Sequence, residues 1–409
     1  MSRLIFLLLI MLFLDAYAFL AWRAWLNKYG ATTRRWGYGV YWALSALCYV
    51  FLLLNVVEAT EDWPKGLLVY GRAMIFIVYF SKVPVVLFLL FDELRRAFNW
   101  VANKISPVTE RDTGRSRFLS KAALVAGGVP LVTLTYGMVR NAYRYRRFAV
   151  DVPVRDLPAG LEGVKIVQIS DIHSGSWTRT TPLYDAIEMV NREEADIVVF
   201  TGDLVNNRSE EMLPYIDIFK QLRGKHGVYS TLGNHDYGDY VQWPDEAAKQ
   251  ANMEQLYDIH ARLGWDLLRD EHRILDINGH RLALIGIENW SAVLRFPKYG
   301  DLGKATAGLP GDCDCRVLLS HDPTSWDALV RPEHPDIDLT LSGHTHGFQF
   351  GIEIPGFKWS PSQYVYEQWA GLYRHGTQNL YVNRGLGFLG YPGRVGILPE
   401  VTVLTLRRA

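Results

Sequence analysis

Four long apolar segments occupy the first 139 residues of this 409-residue chain. They are residues 4–22, 37–57, 67–91 and 122–139, and the second and fourth contain no charged side chain. About 20 apolar residues in helical form cross a bilayer, because backbone polar groups cannot be left unpaired in lipid. The sequence therefore predicts a membrane domain over residues 1–149 with about four transmembrane helices. Cleavage of the first segment as a signal peptide is the weaker interpretation, since no small-residue cleavage site follows it.

The charge of the chain is split between its two halves. The formal net charge is zero, yet residues 1–150 hold 19 basic and 8 acidic side chains, whereas the remainder holds 24 basic and 35 acidic ones. Such asymmetry is typical of a membrane-facing or nucleic-acid-facing segment joined to a different domain. The apolar segments favour the lipid bilayer as the partner, and we expect no nucleic acid.

The positions of lysine and arginine predict an orientation. Linkers 23–36 and 92–121 carry four and seven basic residues, while segment 58–66 carries one beside Glu58, Glu61 and Asp62. Basic linkers stay in the cytoplasm, so the second half of the chain is expected on the extracytoplasmic side. Four arginines directly after the last segment would then lie outside the cytoplasm, which counts against this orientation: Arg140, Arg144, Arg146 and Arg147.

Three charged residues lie within the apolar segments: Asp15, Arg72 and Lys82. Ionisable groups inside a membrane could mark an ion or proton path. The simpler interpretation is that Lys82 and Arg72 pair with acids or reach the interface and that Asp15 packs inside the helix bundle. No repeat or second acidic cluster supports transport, so we favour the simpler interpretation.

In the second half, short apolar runs end five times in side chains that bind metals. The runs are Val164–Ser170, Asp196–Phe200, Gly227–Leu232, Arg316–Leu319 and Asp338–Leu341. Continuous apolar runs of this length are typical of buried strands. Ligands of α/β proteins gather beyond the carboxyl ends of the strands, so we expect the five loops to converge.

The five loops read DIHSG, TGD, GNHD, SHDP and GHTH in chain order. This series resembles the calcineurin-like metallophosphoesterases, and their membrane-attached bacterial branch in particular. The resemblance covers residues 150–409. It implies an α/β fold, a four-layer αββα sandwich of two mixed sheets with a two-metal centre at one edge, preceded by the helical membrane domain in a bacterial inner membrane.

The resemblance also implies roles for individual residues. Asp171, His173 and His346 would bind one metal, Asp203 would bridge the two metals, and Asn234, His321 and His344 would bind the second. His235 would be the catalytic histidine outside the ligand set, with Asp236 orienting it. Phe348 stands where a glycine is common in the family, so it is expected to narrow the site.

The chemistry of these side chains agrees with that assignment. Mixed imidazole and carboxylate ligands suit two divalent ions of Mn, Fe or Zn. Two metals clamp the attacking and leaving oxygens and generate a metal-bound hydroxide, so we expect hydrolysis of a phosphodiester or pyrophosphate bond. The substrate is expected to be a phosphate ester, lipid-linked or nucleotide-linked. Metals in place of lysines would let an acidic domain bind an anion.

Several alternatives stay open at this point. A catalytically weak sensor or scaffold could use the same fold, although all the ligand positions are filled. A transporter would need polar linings that the second and fourth segments lack, and the clustered histidines of a metallo-β-lactamase are absent from the sequence. Residues 288–290 could line the cleft. Segment 359–373 contains five aromatic residues that could either border the site or pack the edge of the domain: Trp359, Tyr364, Tyr366, Trp369 and Tyr373. The sequence predicts no oligomeric state.

Overall fold

A computed structural model describes residues 2–57, 59–60, 62–105 and 113–409. The chain separates into two compact units, Met1–Tyr136 and Gly137–Ala409. The division falls before residue 149, where the sequence places the domain boundary, because Gly137 and the residues after it pack within the second unit. Glu58, Glu61 and segment 106–112 belong to the linkers whose charges predict the orientation, and they lie outside the described residues.

The first unit consists of four helices. They are α1 (Ser2–Leu26), α2 (Ala31–Val56), α3 (Lys65–Ile105) and α4 (Thr113–Tyr136). By length and composition, four segments could cross a membrane: Leu4–Leu26, Ala31–Val56, Lys65–Val101 and Phe118–Asn141. At 41 residues α3 is about 60 Å long, twice the bilayer core, so it continues beyond the lipid. Its polar part begins at Asp92, which pairs with Arg95 at 2.7 Å.

Asp15 of the first apolar segment and Lys82 of the third meet inside this bundle. Asp15 is fully buried and accepts hydrogen bonds from Ser45 Oγ (2.7 Å), Tyr49 OH (3.0 Å) and Tyr79 OH (2.9 Å). It also forms an ion pair with Lys82, which is itself buried. These contacts tie α1, α2 and α3 together and support the interpretation that Asp15 and Lys82 pair. Arg72 donates instead to Asn55 Oδ1 at 2.9 Å.

Replacing Asp15 by Leu is expected to destabilise the bundle by about 3–5 kcal/mol, because Lys82 would be left buried without a counterion. The double variant Asp15→Leu/Lys82→Met should recover most of that loss. Thermal unfolding in detergent measures both effects. Arg72→Met is the matched control, since Arg72 is exposed, and it should change the free energy of unfolding by about 0.5 kcal/mol or less. A single variant as stable as the wild type would contradict a structural role for the pair.

The second unit contains fourteen strands and five short or medium helices among its described residues. The strands are β1 (Arg146–Val154), β2 (Lys165–Ile169), β3 (Ile197–Thr201), β4 (Val228–Thr231), β5 (Asp266–Leu267), β6 (Glu271–Ile277), β7 (His280–Gly286), β8 (Cys315–Leu319), β9 (Leu339–Ser342), β10 (Ile352–Ile354), β11 (Phe357–Trp359), β12 (Gly371–His375), β13 (Gln378–Val382) and β14 (Glu400–Arg408). The helices are α5 (Thr181–Asn191), α6 (Ile216–Phe219), α7 (Glu246–Leu263), α8 (Leu302–Thr306) and α9 (Arg331–Glu333).

Two six-stranded sheets form the centre of this unit. Their strand orders are β1-β14-β2-β3-β4-β5 and β12-β13-β9-β8-β7-β6, and β10 and β11 form a separate ribbon. Both sheets are mixed, since β14 runs antiparallel to β2 and β6 antiparallel to β7, while β2, β3 and β4 are parallel. The residues of β3 (IVVFT) are buried on both faces, which is why the strand reads as a continuous apolar run.

The cores show how the layers stack. One cluster lies between the sheets and combines Ile166 and Val199 of the first with Leu284 and Val317 of the second. A second cluster covers the outer face of the first sheet with α5 and α7, and a third covers the outer face of the second sheet around Trp326. The predicted αββα order is therefore confirmed, and the five predicted strands are β2, β3, β4, β8 and β9.

Candidate metal centre

The first group of candidate ligands gathers at the carboxyl end of β2. Asp171, His173 and His346 place one ligand atom each within 4.8 Å of one another, and all three are buried. The Nε2 atoms of His173 and His346 face each other at 3.0 Å, and His346 Nε2 lies 3.2 Å from Asp171 Oδ1. These donors converge on one point and could hold one metal ion.

The second group adjoins the first. His321 Nε2 lies 3.1 Å from Asp203 Oδ2 and 3.2 Å from His344 Nδ1. Asp203 Oδ2 is also 3.5 Å from His173 Nε2, so this carboxylate touches both groups. His344 offers Nδ1 because its Nε2 lies 2.9 Å from Tyr366 OH. The arrangement places Asp203 where a bridging ligand between two ions would stand.

The backbone at these positions is unusual. Among the described residues of both groups, five have positive φ angles: Asp171 (51°), His173 (46°), Asp203 (62°), His344 (69°) and His346 (50°). Left-handed backbone at non-glycine residues costs about 1–3 kcal/mol each and clusters at functional sites. Gly202 and Gly233 meet here as well, since a Cβ on Gly202 would lie 2.6 Å from Gly233 N. The loops are held in a strained arrangement that points their side chains inward.

Burial sets the charge of the histidines. It lowers the pKa of His173 to about 3 and that of His344 to about 4, and it holds the pKa of His346 well below its usual value. Burial also acts to lower the pKa of His321, but the adjacent Asp203 carboxylate outweighs it and raises that pKa to about 10. Three neutral imidazoles around buried carboxylates are the form in which histidine binds metals.

The carboxylates show the complementary effect. Burial, reinforced by the negative charge of Asp203, raises the pKa of Asp171 to about 7. Burial acts in the same direction on Asp203, but His321 and His235 hold the pKa of Asp203 well below its usual value. Two buried carboxylates this close require positive charge. In addition, Asn234 Oδ1 is buried and has no hydrogen-bond partner among the described residues. The donor set therefore fits two divalent cations.

His235 lies beside these groups. Its ring packs against that of His173 with centroids 4.9 Å apart and against Tyr240 at 4.6 Å. Its backbone N–H donates to Asp203 Oδ1 at 2.8 Å, and its Nδ1 lies 2.7 Å from the carbonyl oxygen of Asn206. A carbonyl can only accept, so Nδ1 carries a proton and Nε2 is left for chemistry.

Asp236 does not hold the imidazole of His235, contrary to the role that the family resemblance implies. Its two carboxylate oxygens accept backbone N–H bonds from the TGD and GNHD loops, at Asp203 (2.9 Å), Leu204 (2.8 Å), Val205 (3.2 Å) and Gly233 (2.8 Å). Within the described part of the chain, no hydrogen bond joins this carboxylate to the ring of His235. Asp236 therefore joins two loops, and the Asn206 carbonyl orients the histidine.

Three further residues at the site have no role assigned to them from the sequence. Tyr240 OH accepts from Asn234 Nδ2 at 2.8 Å, and Asp322 Oδ2 lies 3.4 Å from His344 Nε2. Arg394 is fully buried, with Nη2 3.3 Å from His346 Nδ1, and its charge helps to keep His346 neutral. Asp322 sits inside the SHDP motif and so had a signal in the sequence, whereas Tyr240 and Arg394 lie outside the five motifs.

Phe348 and the aromatic residues of segment 359–373, whose positions the sequence does not decide, divide into buried residues near the site and exposed ones. Tyr366 is buried at the site, and Trp369 packs with it in a small core cluster. Tyr364 is 76% exposed, while Tyr373 packs against the cluster around Trp326. Phe348 is exposed at the rim, with its ring 6.5 Å from that of Tyr366.

Residues 288–290 do not supply ligands to either group. The Asn289 side chain donates to the carbonyl of Pro297 at 2.9 Å, which holds the loop that carries Phe296. The ring of Phe296 packs edge-on against His344, with centroids 4.8 Å apart. These residues therefore shape one wall of the site rather than the metal positions themselves.

Two family descriptions match the chain. Residues 164–348 match the family described as Calcineurin-like phosphoesterase. Residues 1–142 match the one described as Probable Calcineurin-like phosphoesterase, transmembrane domain. The first match contains the strand-end motifs up to Phe348, and the second contains the four apolar helices.

Two vertebrate relatives are named for the same pairing of domains, and a bacterial relative is named for the metallophosphoesterase alone. The chain is 32% identical to "Transmembrane protein with metallophosphoesterase domain" of Danio rerio over 69% of this chain and 62% of that protein. It is 31% identical to the Bos taurus protein of the same name over 72% of this chain and 64% of that protein. An "Uncharacterized metallophosphoesterase" of Helicobacter pylori is 26% identical over 87% of this chain and 88% of its own length.

The matched region thus spans less than two thirds of the two vertebrate relatives but nearly the whole bacterial one. The predicted resemblance is confirmed, including its bacterial members. The chain therefore joins a calcineurin-like phosphoesterase domain to a transmembrane domain of the kind described for such phosphoesterases.

Proposed function

We propose that this protein is a membrane-anchored phosphoesterase that uses two divalent metal ions to hydrolyse a phosphodiester or pyrophosphate bond. The observation that carries the proposal is the pair of adjoining ligand groups, with Asp203 Oδ2 within 3.5 Å of a histidine of each group. A substrate of amphiphilic character, lipid-linked or nucleotide-linked, suits an enzyme held at a bilayer.

The ligand roles follow the geometry. Asp171, His173 and His346 would hold one ion, Asn234, His321 and His344 the other, and Asp203 both. Bound ions of Mn, Fe or Zn would polarise the phosphoryl group and neutralise the charge that develops on it in the transition state. The buried amide oxygen of Asn234 and the neutral imidazoles are the observations that support this donor set.

His235 is suited to proton transfer. It is half-buried, between the candidate ligands and solvent. Because the Asn206 carbonyl holds the Nδ1 proton, the ring would act through Nε2: as the imidazolium, which carries a second proton there, it can deliver that proton to the leaving oxygen or stabilise its charge. Asp236 contributes indirectly, since it fixes the loops that carry Asp203 and His235.

Arg295 is the best-placed cation for an anionic substrate. It is exposed, and its guanidinium stacks over Phe296 at 4.7 Å, the ring that packs against His344. Among the described residues it forms no ion pair with an acid, and it donates a hydrogen bond toward Tyr366. A guanidinium that no acid neutralises, beside a candidate ligand, can bind phosphate oxygens in a bidentate manner.

Arg295→Ala is expected to raise KM by about 10–150-fold for an anionic ester and to change kcat little, since one charge-assisted hydrogen bond is worth about 1.5–3 kcal/mol. Steady-state kinetics separate the two constants. Arg269→Ala is the matched control, because Arg269 also stacks on an aromatic ring, that of Tyr257 at 4.0 Å, but outside the candidate site. A lower kcat with unchanged KM would contradict a binding role.

The function is tested with the full chain purified in detergent and stripped of metal by a chelator. Addition of Mn²⁺ or Zn²⁺ should restore hydrolysis of bis-p-nitrophenyl phosphate or of a nucleotide pyrophosphate. No hydrolysis of any phosphate ester with any of these ions would overturn the enzymatic assignment. Extracts of membrane lipids, screened next, would identify an amphiphilic substrate.

We also propose that the phosphoesterase domain is extracytoplasmic in a bacterial inner membrane, on the strength of the basic linkers 23–36 and 92–121. Alkaline phosphatase fused after Phe148 should be active, since this reporter folds only outside the cytoplasm. A fluorescent cytoplasmic reporter that is active at the same position would reverse the orientation.

A further inference from the structure

The two-stranded ribbon of β10 and β11 exposes its apolar side chains and turns its charged side chains toward the domain. Ile352 pairs with Trp359, and Ile354 pairs with Phe357, so these four side chains share one face of the ribbon. On that face Ile352 is 49% exposed, Ile354 58% and Phe357 52%. We call these four residues the outer face. A ribbon on a soluble surface normally directs its apolar side chains inward.

The charged residues of the ribbon point the other way. Glu353 pairs across the strands with Lys358, and both contact the body of the domain. Glu353 Oε1 lies 2.6 Å from Arg384 Nη2, a buried guanidinium, and Lys358 Nζ donates to the carbonyl of Ala370. These contacts fix which face is turned outward, so the exposure of the apolar side chains is built into the domain.

The outer face is continuous with the end of the fourth candidate span. That span, Phe118–Asn141, ends in residues that belong to the second unit. Within this unit, a Cβ on Gly137 would lie 2.7 Å from Val395 Cγ2, so the two residues are in contact. Val395 in turn hydrogen-bonds to Gly351 N at 2.8 Å, one residue before β10. Only Val395 and Gly351 separate the span end from the ribbon.

The same region carries the charge expected near lipid headgroups. Arg140 lies in the last turn of the span, Arg144 and Arg146 follow it, and all three are exposed. Basic side chains at this position attract anionic headgroups by about 1 kcal/mol each. Exposed apolar residues bordered by such cations are typical of a surface that enters the membrane interface.

We propose that the outer face of the β10–β11 ribbon inserts into the interfacial layer of the lipid bilayer. The occupant is the membrane itself, because the span end fixes lipid next to this surface. Phe350 forms a β-bridge with Val395, and its ring centroid lies 6.5 Å from that of Trp359. Together with Phe348, it extends the apolar surface to within two residues of His346. If the proposed phosphoesterase function holds, on which this consequence alone rests, the site opens at headgroup depth.

The test measures lipid contact without measuring activity. Phe357→Cys in the full chain is labelled with an environment-sensitive nitrobenzoxadiazole group and placed in nanodiscs of phosphatidylethanolamine and phosphatidylglycerol. The native Cys48, Cys313 and Cys315 are free but buried, and the unmodified chain provides the labelling background. A blue shift, and loss of most of the emission when doxyl-labelled phosphatidylcholine is included, are expected.

Ile274→Cys is the matched control. Ile274 is an exposed apolar residue of β6, at the opposite edge of the second sheet from β12 and β13, and its label should keep its emission. Equal quenching at both positions, or none at residue 357, would overturn the proposal. A blue shift at residue 357 that appears in detergent only as protein concentration rises would assign the outer face to a second copy of the chain and also overturn it.

Discussion

Replacing Asp203 by Asn is expected to lower kcat/KM by about 10³-fold, more than the 10–100-fold typical of residues that only support a metal ligand. The reason is its position. Asp203 Oδ2 lies near His173 of one ligand group and His321 of the other, and its Oδ1 accepts from the backbone of His235. An amide in its place would halve the charge that the two carboxylates, Asp171 and Asp203, offer to the cations.

Two measurements check this prediction. Steady-state hydrolysis of bis-p-nitrophenyl phosphate gives the loss of rate, and elemental analysis of the purified protein gives the metal content, which should fall below two ions per chain. Asp217→Asn is the matched control, because Asp217 is an exposed carboxylate that pairs with Lys220 on the surface, away from both ligand groups. Unchanged metal content together with unchanged rate would remove Asp203 from the ligand set.

His235→Ala is expected to lower kcat by about 10²–10⁴-fold while leaving the metal content unchanged. The ring contacts His173 and Tyr240 but belongs to neither ligand group, so its loss should not release an ion. Because its Nδ1 is held by a carbonyl, the proton for the leaving oxygen must come from the opposite nitrogen. The loss should therefore depend on how much the leaving group needs that proton.

A pair of substrates tests this dependence. An ester that releases p-nitrophenolate needs little protonation, so the variant should lose much less rate on it than on an alkyl ester of the same phosphate. His375→Ala serves as control, since His375 lies on the surface beside Arg331. An equal loss on both esters would show that His235 positions the substrate or a metal and does not donate a proton.

The structure gives a physical reason for the different charges of the two halves of the chain. The acidic second half contains a site in which three buried histidines are neutral and two carboxylates lie close together. Such a site attracts cations first, and the cations then attract phosphate. The basic residues of the first half are concentrated in linkers and after the fourth span, where they suit lipid headgroups.

Part of the site was predictable because it depends on local order along the chain. An apolar run that ends in DIH, TGD, GNHD or GHTH places its polar residues directly after a buried strand. The carboxyl ends of parallel strands meet at one edge of a sheet, so the loops after β2, β3 and β4 come together in the first sheet and those after β8 and β9 in the second. The stacking of the two sheets then brings the two sets of loops together. The assignment of ligands to individual ions remains a proposal.

Other features depend on partners far away in the sequence. The carbonyl of Asn206 holds His235, the hydroxyl of Tyr366 turns His344 so that Nδ1 faces the site, and Asp236 bonds to the TGD loop. Backbone groups carry no sequence signal, so the choice of the Asn206 carbonyl over the Asp236 carboxylate could not be deduced. The register of the loops in the folded chain decided it.

The amino-acid sequence by itself determined the membrane segments, the buried strands and the residues at the strand ends, because hydrophobic length and periodicity act locally. Only the tertiary structure decided that Asp15 and Lys82 pair inside the bundle, that Gly137 and the residues after it belong to the second unit, and that the β10–β11 ribbon turns its apolar face outward. These features depend on contacts between residues that are distant in the chain. Such contacts form only when the whole chain is folded, so no local pattern in the sequence encodes them.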